Sequence, residues 1–134
     1  MTWDEVCAHL RRTYVLDLDQ DETFGLVWRF ESMPTPVLQR QRVQLTVAFG
    51  VEPWVAISCP VAVEDQFPAR AALAHNSSLA LGALMLDKNL VVLRFVTALA
   101  PLEAHELDET LVTLANEAAR LYLKYSSAHL AFAE

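Results

Sequence analysis

Between Phe24 and Glu31 the side chains alternate. Phe24, Leu26, Trp28 and Phe30 fall on one side, and Gly25, Val27, Arg29 and Glu31 on the other. A period of two predicts a half-buried strand. A second run, Leu38–Phe49, puts Val43, Leu45, Val47 and Phe49 inward and Arg42, Gln44 and Thr46 outward. The third, Trp54–Val61, sets Val55, Ile57 and Cys59 against Trp54, Ala56 and Ser58. Ser32-Met33-Pro34-Thr35-Pro36 and Gly50-Val51-Glu52-Pro53 read as the turns between them. Three strands so joined make an antiparallel meander.

Helical spacing takes over at both ends and once in the middle. Thr2 and Glu5 form a capping box, followed on one face by Val6, Cys7 and Leu10, with Trp3 one turn earlier. Arg11 and Arg12 close this helix where cations suit its dipole. Helix two is capped by Asp65 or Gln66, carries Pro68 in its first turn, and stops at His75-Asn76, where Asn tolerates a left-handed residue. Helix three runs from Glu103 to Tyr125. Leu107, Leu111, Leu114, Ala115, Ala118, Leu121 and Tyr125 line one face of it, opposite Glu106, Thr110, Thr113, Glu117, Arg120 and Lys124. Residues 126–134 read as a tail that frays.

The stretch Leu79–Leu86 is apolar at every position except Gly82, so a strand there buries both faces. With Lys88-Asn89 as a two-residue turn, Asp87 faces Leu90, Met85 faces Val92, Ala83 faces Arg94 and Gly82 faces Phe95. One face of this hairpin is then Gly82, Leu84, Leu86, Val91, Leu93 and Phe95, a seat for helix three. The other is Leu79, Leu81, Ala83, Met85, Leu90, Val92 and Arg94. Leaving that face wet forgoes about 1.5–3 kcal/mol per large apolar side chain. A second copy of the chain is the expected cover, and these residues are the candidate homodimer interface.

A second contact surface suggests itself where apolar side chains fall on faces otherwise polar. Trp3, Val6 and Leu10 of helix one, with Val27 and Trp54 of the meander, either receive a partner segment or, for helix one, pack back on the sheet.

At 134 residues the chain fits one domain, residues 1–125 with the short tail, and has length for one real core. The expected fold is α+β: an antiparallel sheet of about five strands and three helices in the order α-β-β-β-α-β-β-α. Apolar residues make up 54%, above the usual 45–50%, and the surplus again points to an associating surface. A net charge of −7 argues against nucleic acid or an anionic membrane as partner. Asp4 and Glu5 exclude a basic signal-peptide start, and no apolar run reaches the ~20 residues of a spanning helix. Cys7 and Cys59 read as reduced core thiols of a cytoplasmic protein, or else as one bridge.

Candidate chemistry is sparse. Asp17-Leu18-Asp19-Gln20-Asp21-Glu22 opens like a calcium loop, but Glu22 stands where Gly is needed and Trp28 where the bidentate Glu should be, so it reads as a solvated acidic loop. His9, His75, His105 and His129 sit at or near helix ends or in the tail, where histidines are usually solvated. His105 and Glu109 share a helix face but are a weak pair of ligands. Only Gly25, Gly50 and Gly82 are present, so no phosphate-cradling loop can form. No catalytic residue, metal or cofactor is expected.

The passage Leu73-Ala74-His75-Asn76-Ser77-Ser78-Leu79-Ala80-Leu81-Gly82-Ala83-Leu84 is similar to a helix–Asn–x–x–Leu–x–x–Gly–x–Leu passage of the type III secretion chaperone-like fold. That group includes the class I effector chaperones and the YbjN-type domains. The opening of helix three, Leu99-Ala100-Pro101-Leu102 to Glu106-Leu107, is similar as well. The resemblance spans about Thr2–Tyr125. It implies a non-catalytic homodimer that holds an extended segment of a client protein as a chaperone or adaptor. The other function it implies is a YbjN-type regulatory or stress-linked domain acting through its dimer.

Overall fold

The computed structural model describes residues 1–46 and 52–133, with side chains as far as Tyr125. The fold is α+β, with three helices on a six-stranded antiparallel sheet. In chain order the elements are α1 (Trp3–Thr13), β1 (Leu16–Asp19), β2 (Thr23–Phe30), β3 (Val37–Thr46), β4 (Trp54–Val63), α2 (Ala69–Asn76), β5 (Ala83–Asp87), β6 (Leu90–Ala98) and α3 (Ala104–Ala133). Across the sheet the strands lie β1-β2-β3-β4-β6-β5. The expected positions Val47 and Phe49 lie outside the described residues.

The extra strand is the acidic run. Leu16-Asp17-Leu18-Asp19 alternates half-buried leucines with exposed carboxylates, and pairs with β2 across a bulge between Leu16 and Leu18. Half of the expected solvated loop, Asp17-Leu18-Asp19, is therefore strand with its carboxylates still exposed, because a D-x-D pattern is also a period-two pattern. The bulge lays Asp17 and Leu18 over Gly25, where a β-carbon would collide with the Asp17 carboxylate. Trp3 Nε1 donates to the Asp21 carbonyl at 2.7 Å, tying α1 to the β1–β2 turn.

One sheet face and the helices enclose the core. Phe24, Leu26, Val43, Val55, Ile57, Cys59, Leu84, Val91 and Leu93 meet Leu107, Leu111, Leu114, Ala118 and Leu121 of α3. Val6 and Leu10 of α1 are fully buried in the same cluster. The capping box at Thr2 and Glu5 is present as expected. α2 instead has Pro68 at its N-cap with no side-chain cap, so neither Asp65 nor Gln66 caps it. At its other end Asn76 is helical, followed by a right-handed Ser77, because its side chain is committed to β5. The backbone of α3 remains helical beyond Tyr125, through the expected tail, to Ala133.

The hairpin has the expected register, from Ala83 opposite Arg94 to Asp87 opposite Leu90, with Lys88 left-handed at φ 57°. Its first strand begins later than expected. Gly82 has φ +75°, and a β-carbon there would lie 2.7 Å from the Arg94 carbonyl oxygen, so the chain turns at Gly82 and enters the sheet at Ala83. Nor are both faces of β5 buried: only Leu84 is, because β5 is the sheet's edge.

Candidate functional site

Strand register sorts the sheet into two faces. Phe24, Gln41, Ile57 and Leu93 point toward the helices; Val27, Arg40, Arg42, Ser58, Val92, Arg94 and Met85 point away. Among the described residues no helix covers this second face.

The candidate interface residues divide on this map. Met85 and Leu90 lie on the open face, 39% and 38% exposed, and Val92 beside them is nearly buried by its neighbours. Ala83 is exposed and Arg94 half-buried on the same face. Leu79 and Leu81 precede the strand and pack, half-buried, against the chain's own core, so they leave the interface set. Leu86 at 42% and Val63 at 39% join it instead, at the tip of the hairpin. Leu86, opposite the buried Val91, points to the helix side yet remains exposed there.

The second candidate surface loses two of its helix-one residues and keeps its sheet part. Val6 and Leu10 are at 0% exposure, so α1 packs back on the sheet and cannot offer them to a partner. Trp3 is half-buried, with its ring 5.8 Å from Phe24. Val27 and Trp54 do lie on the open face, both half-buried, opposite Arg40 and Thr46.

In the centre of the open face is a groove of about 440 Å³. Arg42, Ser58 and Arg94 cross it in one row, with Pro60, Val92 and Met85 beyond them toward the hairpin tip. Among the described residues Arg42 and Arg94 form no ion pair; the polar contact of Arg94 is Nη1 to Met85 Sδ at 4.0 Å.

Polar side chains brought together elsewhere hold the fold. The Asp108 carboxylate accepts from the Tyr14 hydroxyl and lies 2.7 Å from His9 Nε2, locking α1 and the start of β1 to α3. Burial, then the Asp108 contact, pushes the Tyr14 hydroxyl well above its ordinary pKa. His9 is thus buried and not solvated, and His75 is hydrogen-bonded to the Tyr125 hydroxyl at 2.7 Å. Their partners are far away in sequence, so spacing along the chain carried no sign of either pair. Cys7 and Cys59 are free, buried thiols, and burial pushes Cys59 up to about 12. A thiol so hard to ionise is a poor nucleophile. His105 pairs with Glu103 at 3.3 Å, and with Glu106 they form an exposed acidic group at the start of α3. Glu106 also accepts from the Glu103 amide at 3.2 Å, which is a helix-capping role.

No protein-family model matches the chain, and no curated protein matches it. Among the described residues no helix is long and apolar enough to cross a membrane.

Proposed function

We propose that the chain is a non-catalytic protein-binding module, a dimeric chaperone or adaptor that holds an extended segment of a client protein. The observation that carries this is the open sheet face, with Met85, Leu90 and Val63 exposed at one end of it and Leu86 exposed beside them. Four large apolar side chains about 40% exposed at one hairpin tip each forgo roughly 0.6–1.2 kcal/mol, and together they favour a permanent cover. A second copy supplies it by symmetry, with the same tip meeting itself. Arg94 lies inboard, in the row with Ser58, and belongs to the client groove in this arrangement rather than to the dimer contact.

The groove and the rest of the open face then receive the client. An extended segment fits a pleated surface whose side chains repeat every second residue. The element order also agrees with the helix, meander, helix, hairpin, helix order that the resemblance implies, with β1 added.

Sedimentation equilibrium tests the dimer. Wild type should be dimeric at micromolar concentration and Met85→Glu/Leu90→Glu monomeric with an unchanged circular dichroism spectrum. A monomeric wild type overturns the dimer. For the client, affinity purification from the native host with peptide identification should return one protein reproducibly, and the same protein should be lost with Val27→Asp/Val92→Asp. Retention by that variant overturns the open face as the client site.

A further inference from the structure

We infer that the groove recognises a carboxylate: it takes a client segment in which an acidic residue is followed, two positions on, by an apolar one. The inference rests on the binding-module reading and adds the chemistry of the partner.

The first observation is where the cations are. The chain carries 17 acidic residues against 10 Lys and Arg. Yet Arg29, Arg40, Arg42 and Arg94 all project from the open face, by the registers Arg29–Leu38, Val27–Arg40, Arg42–Ser58 and Ser58–Arg94. Among the described residues the acids on this face include Asp17, which lies 3.8 Å from Arg40, Glu31, in one hollow with Arg29, and Asp87, at the far end of the groove. A protein of net charge −7 thus gathers four arginines on one face, and it is the face with no helix on it.

The second is the row itself. Arg42, Ser58 and Arg94 are directly opposed on three adjacent strands. Two strand spacings separate the arginine backbones by roughly 9–10 Å. Each side chain can span half of that, so both forks reach a point above the small Ser58. Two like charges on one row repel unless an anion lies between them. Among the described residues neither has an acidic partner. A carboxylate above Ser58 would accept from both guanidinium groups and from the hydroxyl.

The third is what surrounds the row. Along β6 the next outward position after Arg94 is Val92, opposite Met85 and Pro60, and the one after that is Leu90. Outward positions recur every two residues, about 6.8 Å apart. An extended client running antiparallel to β6 above this face, with its acid at Arg94, therefore sets its second residue onward against Val92 and Pro60, beside the Met85 of the dimer contact. A free inorganic anion would use the row but not these apolar neighbours. The mixture selects a peptide.

The test is a displayed library of random nine-residue peptides, selected on wild type and on Arg42→Gln/Arg94→Gln. Glutamine keeps much of the stem and the hydrogen-bonding capacity but removes the charge. A thermal melt of the variant matching wild type shows that it folds. Wild type should enrich Asp or Glu followed two positions later by Val, Ile, Leu or Phe. Synthetic copies of the enriched peptides should bind the variant about tenfold more weakly, or worse, as expected for lost charge-assisted hydrogen bonds. Replacing the peptide's acid by its amide should cost wild type as much, and the variant little. Enrichment with no acid preference, or an acid preference that survives in the variant, overturns the carboxylate site and leaves the binding-module reading standing. No enrichment of any peptide removes that reading and this inference with it.

Discussion

Asn76 holds Leu84 by both of its backbone groups. The Leu84 amide donates to Asn76 Oδ1 at 2.6 Å, and Asn76 Nδ2 donates to the Leu84 carbonyl at 3.2 Å. The side-chain amide does here what a seventh strand would do, satisfying one residue of the edge strand β5 from the last turn of α2. Because the Asp87–Leu90 pair closes a two-residue hairpin, hydrogen-bonded and free positions alternate back along β5, and Leu84 and Leu86 turn their backbones to the free edge. Asn76 therefore blocks strand addition at Leu84 and leaves Leu86 open. Asn76→Ala should cost about 1–3 kcal/mol, the usual penalty for orphaned polar groups, by urea denaturation. The Leu84 amide should also lose its protection from hydrogen exchange. Unchanged protection would mean that Asn76 is not what shields this amide.

Gln41 is the other polar group that only the assembled fold explains. It is at 0% exposure, and its Oε1 accepts a hydrogen bond from Trp28 Nε1 at 2.8 Å. Its own Nε2 donates to the Leu111 carbonyl, two turns into α3, at 3.0 Å, and lies 3.4 Å from Cys59 Sγ. Gln41→Leu nearly preserves volume but strands the indole N–H of Trp28, and should destabilise the protein by about 1–3 kcal/mol. Adding Trp28→Phe removes the stranded donor as well and should recover part of the loss. A double-mutant cycle with no coupling between the two positions would contradict this account.

Stability should fall on the alkaline side. Cys59 has its pKa pushed up from 9.0 to about 12, chiefly by burial, while the Gln41 contact pulls weakly the other way. A raised folded pKa stabilises fully below the unfolded value, and that contribution is lost as pH rises through the folded one. The window here is pH 9 to 12, and the loss at pH 10 is roughly 1–2 kcal/mol. Tyr14, raised by burial and by Asp108, acts with the same sign above its ordinary value of 10.0. Urea midpoints at pH 7, 9 and 10 should decline for wild type. Cys59→Ala should start lower, from its cavity, yet decline less between pH 9 and 10. A parallel decline would assign the alkaline loss to other groups.

Periodicity determined a good deal unaided. Residues 37–44 alternate buried and exposed, and Phe24 and Leu26 face the core as the chain pattern predicts, although Gly25 is buried too, under Asp17 and Leu18. The hairpin register followed from a two-residue turn at Lys88-Asn89, whose closure leaves a single pairing. The α3 stripe and the Thr2–Glu5 box were equally local. What periodicity could not say is which apolar face meets which. Val6 and Leu10 looked as available to a partner as to the sheet, and only the packing of α1 beside α3 decided for the core. Gln39 and Gln41 had core parity in β3, but their polarity obscured it until Pro60, Trp28 and Leu111 supplied partners. The delayed entry of β5 at Ala83 took Leu79 and Leu81 from the open face, because Gly82 meets the Arg94 carbonyl and Leu114 only once the hairpin is seated under α3. The row Arg42–Ser58–Arg94 joins three strands far apart in the chain. Local pattern sets each side chain's face, but tertiary pairing alone sets its neighbours across the sheet.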